Sequence, residues 1–176
     1  MADKLELAKE KFDHAGLFDF SSYYSFAHAW LSEEKEYGVV EDLYSEKVSG
    51  NEREIAIKWT ASKKVSDYFK LELKFKFLIF NLVDVEVEID GDKKKMNKGK
   101  FKGEVKVNLI RDPGSNWDVN PFNRFLRGLY DKFVIPQRID GMEQFILEEA
   151  REFVDESKAF LELTGKRQDL GHSPDK

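Results

Sequence analysis

The stretch YFKLELKFKFLIFNLVDVEVEIDG, residues 68–91, alternates apolar and charged side chains over most of its length. Successive side chains of a β-strand point to opposite faces, so this period of two is typical of a sheet with one buried and one solvated face. Asn81 interrupts the apolar series, and one strand through Ile89 would exceed the usual strand length. The pattern therefore predicts two strands, Tyr68–Phe80 and Val83–Ile89, with a turn at Asn81.

Three further segments with strand-like patterns flank this stretch. They are Tyr37–Val48, Glu54–Val65 and Lys100–Ile110, and turn residues separate them at Ser49-Gly50-Asn51, Asp90-Gly91 and Asn97-Lys98-Gly99. The outward acids of residues 83–89 would then lie between lysine rows of the two neighbouring strands. Cross-strand ion pairs of this kind stabilise a sheet and oppose register slips, so the lysine-rich segment after Gly91 is interpreted as a solvated sheet face.

Helical patterns lie on either side of the sheet. Residues 3–12 fit a helix with a capping box of Asp3 and Glu6, although Leu5 and Leu7 would equally suit a strand; the helix is favoured. A second helix through Lys35 would be capped by Ser21 or Ser22. A third begins at Pro121, where the missing N–H costs nothing, and carries an apolar stripe. The residues of this stripe are Phe122, Phe125, Leu126, Leu129 and Phe133.

The last predicted helix runs from Asp140 to Thr164 and is closed by Gly165. Its apolar residues cover half of the circumference or more, which is wider than the stripe of a surface helix. Such a helix is expected to be wrapped by a concave sheet. The apolar residues are Met142, Phe145, Ile146, Leu147, Ala150, Phe153, Val154, Phe160, Leu161 and Leu163.

These elements predict one α+β domain over residues 1–165 and a flexible tail over residues 166–176. Its antiparallel meander of five to six strands would curve around the long C-terminal helix, with one or two N-terminal helices. The 176 residues carry a formal net charge of −5 and no cysteine, which excludes disulfides and thiol chemistry. The longest apolar run, FLIFNLV, is too short to span a membrane. A cytoplasmic location is expected, without metal or cofactor, and no catalytic motif favours an enzyme.

The order of helix, strand meander and long terminal helix over residues 20–164 resembles the helix-grip arrangement of the START-like (SRPBCC) superfamily. The stretches IDGDKKKMNKG and NPFNRFLRGLYDKF also resemble uncharacterised small archaeal proteins. The START-like resemblance implies a cavity between sheet and last helix that holds a lipid or another apolar molecule. Fold analogy alone does not carry function.

A non-catalytic binding or interaction protein is therefore the favoured hypothesis, and three sites compete. The first is an apolar ligand site between the sheet and the last helix, although the same rings could simply fill the core. Its predicted residues are Trp59, Phe69, Phe75, Phe153 and Phe160, with Glu143 and Glu149 on the helix shoulders, where burial would make them acid–base candidates.

The two other hypotheses involve macromolecules. An assembly or scaffold protein, homo-oligomeric or with another protein partner, would use the apolar patch of residues 77–83, in which Leu78, Phe80 and Leu82 lie on the otherwise charged face. An RNA-associated protein would use the lysine hairpin of residues 93–102. Its contact residues would be Lys93, Lys94, Lys95 and Lys98, although the acidic net charge makes nucleic acid the least favoured partner.

Overall fold

The computed structural model describes residues 2–114, 120–133 and 136–169, and in them five antiparallel strands and three helices form an α+β fold. The elements are β1 (Asp3–Phe18), α1 (Phe20–Ala29, continued by a π-helix, Trp30–Glu34), β2 (Gly38–Ser49), β3 (Glu52–Lys64), β4 (Phe69–Ile89), β5 (Asp92–Arg111), α2 (Pro121–Phe133) and α3 (Pro136–Asp169). The strand order is β1-β5-β4-β3-β2, and the sheet is open. The predicted α+β class with an antiparallel sheet and a long C-terminal helix is confirmed.

The helix predicted for residues 3–12 is wrong, because this segment is the first half of edge strand β1. It pairs with β5 from Asp3 opposite Arg111 to Phe18 opposite Asn97. A bulge between Glu6 and Ala8 shifts the alternation by one residue, so that Leu7 and Ala8 both pack against the core. The bulge turns a strand pattern of period two into a spacing that imitates a helix.

The turn predicted at Asn81 is also wrong. Strand β4 continues through it to Ile89, and Asn81 takes a positive φ of 52° at a register shift between Phe80 and Val83. On the partner strand, a Cβ at Gly99 would lie 2.9 Å from the carbonyl oxygen of Phe80, so only glycine fits there. A bulge therefore replaces the predicted turns at Asn81 and at residues 97–99.

This merger changes the neighbours of the acidic row. Because residues 69–80 and 83–89 belong to one strand, they cannot flank each other. Glu86 and Glu88 instead lie opposite Lys95 and Lys93 on β5, across the hairpin. The prediction that these acids lie between two lysine rows is wrong: the lysines of residues 70–76 precede them on the same strand, and Lys100, Lys102 and Lys106 lie opposite Phe80, Leu78 and Lys74.

Aromatic rings fill the space between the sheet and the helices. Phe153 of α3 lies 4.7 Å from Phe75 and 6.5 Å from Phe12, measured between ring centroids. Tyr23 of α1 lies 4.8 Å from Phe101, and its hydroxyl donates to Ser157 Oγ over 3.0 Å. Helix α1 is therefore tied to both the sheet and α3. Its N-cap is Asp19, which accepts from the Ser22 N–H, and not Ser21 or Ser22 as predicted.

Helix α3 is longer at both ends than the sequence predicts. It begins at Pro136 and passes through Gly165 to Asp169, so the predicted end at Gly165 is wrong. A Cβ at Gly165 would lie 3.0 Å from the Leu17 carbonyl oxygen, which indicates that this glycine allows close packing on β1. Phe145 and Leu163 are exposed, so the apolar side is narrower than predicted. Residues 170–176 of the predicted tail lie outside the described residues.

Candidate ligand-binding pocket

The connection between β3 and β4 forms one wall of a pocket at the end of the sheet. Ser66 Oγ accepts from the backbone N–H groups of Tyr68 and Phe69 over 3.2 and 3.1 Å, and Val65 N–H donates to the Phe69 carbonyl over 3.0 Å. The side chain of Ser66 thus closes the turn locally. The turn presents the rings of Tyr68 and Phe69, whose centroids lie 5.0 Å apart.

An ion pair holds α2 against the same end of the sheet. The Asp112 carboxylate is fully buried at the end of β5, and its backbone N–H donates to the Tyr68 carbonyl oxygen over 2.7 Å. Arg127 of α2 lies 3.7 Å from this carboxylate. One turn further along α2, the Tyr130 ring meets Tyr68 edge to face at 5.6 Å. Helix α2 is therefore fixed to the sheet by Arg127 and Tyr130.

Together with the start of α3, these elements border an open pocket of about 570 Å³. That volume lies within the 300–1,000 Å³ typical of small-molecule sites. Most of the wall is apolar, and its polar side chains are Ser66, Asp67, Tyr130 and Arg138. Arg138 Nη1 donates to the Tyr130 hydroxyl over 3.5 Å, and the Asp67 carboxylate pairs with Lys64 over 2.8 Å. The lining residues are Val65, Ser66, Asp67, Tyr68, Phe69, Tyr130, Arg138, Gly141 and Met142.

Of the five aromatic residues predicted to line a cavity, Phe69 lies in the pocket wall. The other four lie in ring contacts within the core: Trp59 is 5.3 Å from Phe77, Phe75 is 4.7 Å from Phe153, and Phe160 stacks on Phe26 at 4.6 Å. These contacts favour the alternative stated above, in which the rings fill the core. The pocket described above lies beside the N-terminal end of α3, and not between the sheet and the middle of that helix.

The two carboxylates singled out on α3 lie in different surroundings. Glu149 is buried and accepts a hydrogen bond from the Tyr37 hydroxyl, whereas Glu143 is half-buried. Burial, followed by the hydrogen bond and charge of Glu149, raises the pKa of Tyr37 far above its usual value. Neither carboxylate lines the pocket. Glu149 is thus a hydrogen-bonded buried group that joins α3 to the residue before β2.

The apolar patch of residues 77–83 is largely covered. Leu82 is fully buried, and Leu78 and Phe80 are half-buried. Lys102 lies across the ring of Phe80, with its Nζ 5.9 Å from the ring centroid. An unbroken alternation would place Leu82 on the charged face together with Leu78 and Phe80. The bulge at Asn81 places it on the core side.

The four lysines proposed to contact RNA are all exposed. Lys93, Lys94 and Lys95 follow the β4–β5 turn, and Lys98 lies opposite Val83 beyond the bulge. The hairpin tip and the pocket lie at opposite ends of the 21-residue strand β4. The lysine hairpin and the pocket are therefore separate features.

A second pocket, of about 350 Å³, lies on the solvated face of the sheet over Gly103. Charged side chains of both signs surround it: Lys11, Lys76 and Lys102 alternate with Asp13 and Glu104. Lys9 already pairs with Glu104 over 3.2 Å. Because its charges largely offset each other, this pocket does not favour either an anion or a cation.

Sequence reasoning assigned neither Tyr68 nor Tyr130 to a site, whereas Arg138, with Arg124 and Arg127, is a candidate anion site near Pro136 in the sequence, and Met142 belongs to the predicted apolar side of the last helix. Comparison of the chain with protein-family models, with curated proteins and with solved structures gave no match. Among the described residues, no helix combines the length and the apolar character needed to cross a membrane.

Proposed function

We propose that this protein is a non-catalytic binding protein that holds a small apolar molecule in the pocket between the β3–β4 connection, α2 and α3. The observation that carries the proposal is a mostly apolar, open space of about 570 Å³ whose lining includes Arg138 and the Tyr130 hydroxyl. Apolar walls with a few convergent polar groups are typical of ligand sites. The pocket lies between sheet and last helix, at the end nearest Phe69.

The polar groups indicate which end group the ligand carries. Arg138 has a planar guanidinium with several N–H donors, and the Tyr130 hydroxyl accepts one of them over 3.5 Å. A carboxylate or phosphate is the group that a guanidinium recognises best. The ligand class is therefore an amphiphile with an apolar body and one anionic end, such as a fatty acid.

The topology is compatible with a START-like ancestry, which we also propose. Strand β1 lies beside the last strand, β5, and α3 packs on the side of the sheet that carries Phe12, Phe75 and Phe77. The absence of cysteine suits a cytosolic place of action, which belongs to the same proposal. Protein partners remain a separate hypothesis.

The test compares two glycine substitutions. Gly141 lines the pocket and a Cβ there meets no atom within 4 Å, so we expect the side chain of Gly141→Leu to reduce the pocket volume. Gly128 on α2 is equally open and lies outside the pocket lining, so Gly128→Leu is the matched control. Both changes remove a helix glycine, which should stabilise each helix by about 0.5–1 kcal/mol.

Binding is measured by calorimetric titration with palmitate and with hexadecanol. We expect wild type and Gly128→Leu to bind palmitate and Gly141→Leu to lose binding at least ten-fold. Arg138→Gln should weaken palmitate while leaving hexadecanol nearly unchanged. Equal palmitate affinity of the wild type and Gly141→Leu, or no binding by the wild type, would reject the pocket as the site.

A further inference from the structure

Helix α2 turns its apolar side away from the protein. Phe122, Phe125 and Phe133 are 67, 62 and 70% exposed, and Leu126 and Leu129 are exposed as well. These five residues, the apolar stripe of α2, lie on one helix face. A surface helix ordinarily buries such a face against the core. On α2, by contrast, the apolar stripe is in contact with solvent.

The orientation of α2 is fixed by the residues that attach it. Each residue advances about 100° around a helix, so Arg127 and Tyr130 lie together on one flank of the stripe. They contact Asp112 and Tyr68 respectively, and those contacts anchor that flank to the end of the sheet. The attachment is thus polar and aromatic, and it leaves the stripe free of the core.

Basic residues outnumber acidic ones on α2 and the first turn of α3. Arg124 and Lys132 are exposed cations on α2, and Arg138 is exposed on α3, whereas Asp131 and Asp140 are the acidic residues of these segments. Lys132 lies beside the stripe, with its Nζ 5.5 Å from the ring centroid of Phe133. Residues 121–140 carry four basic and two acidic side chains, whereas the chain as a whole has a net charge of −5, so the excess of positive charge is a local feature of this segment.

We propose that α2 is the membrane-docking helix of this protein and lies in the surface plane of an anionic lipid bilayer. Phenylalanine and leucine on one face, arginine and lysine on the other, and a low overall hydrophobicity characterise helices that bind bilayer interfaces. The rings would enter the boundary between headgroups and acyl chains. The cations would meet the lipid phosphates, to which they are complementary in charge.

A second copy of the chain fits this surface less well than a bilayer. A second α2 packed on the stripe would bury the apolar residues, but it would present only its own apolar stripe and its own Lys132 to the Lys132 that flanks this stripe. A contact between like charges is unfavourable. An anionic bilayer instead offers an apolar boundary to the stripe and phosphates to the flanking cation.

Membrane docking by α2 does not require an occupied pocket, although the two features share one end of the molecule. Tyr130 belongs to both the pocket wall and the attachment of α2, and Arg138 belongs to both the pocket lining and the exposed cations. Gly141→Leu should therefore bind vesicles like the wild type even though its pocket is filled. This separates a failure of membrane docking from a failure of ligand binding.

The experiment is flotation of the full-length protein with vesicles of phosphatidylcholine, with and without phosphatidylglycerol. We expect binding to the anionic vesicles that weakens with added salt, and much weaker binding to phosphatidylcholine alone. Phe125→Glu should lower the partition coefficient at least ten-fold, because it removes an apolar ring from the interface and adds an anion. Phe145→Glu is the matched control, since Phe145 is an exposed phenylalanine on α3.

Charge is tested with a second matched pair. Lys132→Glu should lower binding to anionic vesicles roughly five-fold or more, at about 1 kcal/mol for each cation near the surface. Lys93→Glu, at the far hairpin tip, should have no effect. Circular dichroism and light scattering check the fold and mass of each variant. Undiminished flotation of Phe125→Glu, no flotation of the wild type, or a dimer that Phe125→Glu converts to monomer would overturn the proposal.

Discussion

The guanidinium of Arg127 lies 3.7 Å from the carboxylate of Asp112, a side chain with no solvent exposure. This pair joins the end of β5 to α2 across a segment of the chain with no regular structure among its described residues. The position of α2, and with it one wall of the pocket, depends on that contact. A buried carboxylate that keeps its counter-charge is far less costly than one that has lost it.

We therefore expect Arg127→Met to destabilise the protein by about 3 kcal/mol, because it leaves the Asp112 charge without this partner. Asp112→Asn should cost less, since asparagine tolerates the positive φ of 46° at this position and removes the charge itself. Urea unfolding of the two single variants and the double variant measures both effects. A double variant whose loss equals the sum of the two single losses would contradict a direct interaction.

The second prediction concerns the pairing of β1 with β5. A Cβ at Gly103 would lie 2.3 Å from the Phe12 ring, so Gly103→Ala should cost about 1–3 kcal/mol through overpacking. In a Phe12→Leu background, the smaller side chain should absorb part of this clash. The free energy of unfolding in urea is again the measure.

The alternative to this arrangement is the helix that the sequence favoured for residues 3–12. With that helix, Gly103 would lie in a strand without Phe12 above it, and alanine would be neutral or stabilising. A gain in stability for Gly103→Ala would thus support the helix. Gly128→Ala, an exposed helix glycine with no atom within 4 Å of its Cβ, serves as the control for the backbone effect alone.

The sequence identified the faces of the sheet but not the offsets between strands. The alternation of apolar and charged residues around Phe75 and Phe77 depends only on the strand itself, so the sequence was sufficient to predict that both rings are buried. The bulge at Asn81 depends on Gly99 of the partner strand, and the bulge at residues 6–8 lies opposite Asn108 and Val107; a local sequence pattern does not contain such cross-strand information. The predicted helix over 3–12 and the predicted turn at Asn81 both fail for this reason.

The pocket was less accessible to sequence reasoning than the fold. Tyr68 is far in the sequence from Tyr130 and Met142, which lie on consecutive helices, and only tertiary contacts bring it to them. Asp112 followed by Pro-Gly carries the signature of a turn, which hides its role as the buried partner of Arg127. The apolar stripe of α2 was visible in the sequence, but its exposure follows from the flank by which Arg127 attaches the helix.

A third prediction distinguishes a filled core from an internal cavity. Phe153 is fully buried among Phe12, Trp30, Phe75 and Phe77, so Phe153→Ala should cost about 3–5 kcal/mol. Phe160 is half-buried, and Phe160→Ala should cost clearly less. Guanidinium unfolding measures both. Equal and small losses would indicate that Phe153 borders an existing cavity instead of close-packed rings.

The last prediction concerns alkaline pH. Burial raises the pKa of Tyr23 and of Tyr37 far above the usual value of 10.0, and it raises that of Tyr24, with the help of Glu41, to about 12. Below pH 10 these phenols are protonated in both the folded and the unfolded chain, so they leave stability independent of pH. Above pH 10 the unfolded chain loses protons that the folded protein keeps, so the free energy of unfolding must fall as pH rises.

Tyr37→Phe should make this fall less steep by one proton, or about 1.4 kcal/mol per pH unit. The slope is compared, and not the stability at neutral pH, because the variant also removes the hydrogen bond to Glu149. Tyr23→Phe should reduce the slope by the same amount and leaves the Tyr37–Glu149 hydrogen bond in place. Glu149→Gln should preserve most of the slope, because burial is the larger cause of the raised pKa of Tyr37. If near-ultraviolet absorbance shows all six tyrosines of the folded protein ionising together near pH 10, the packing described for Tyr23 and Tyr37 is wrong.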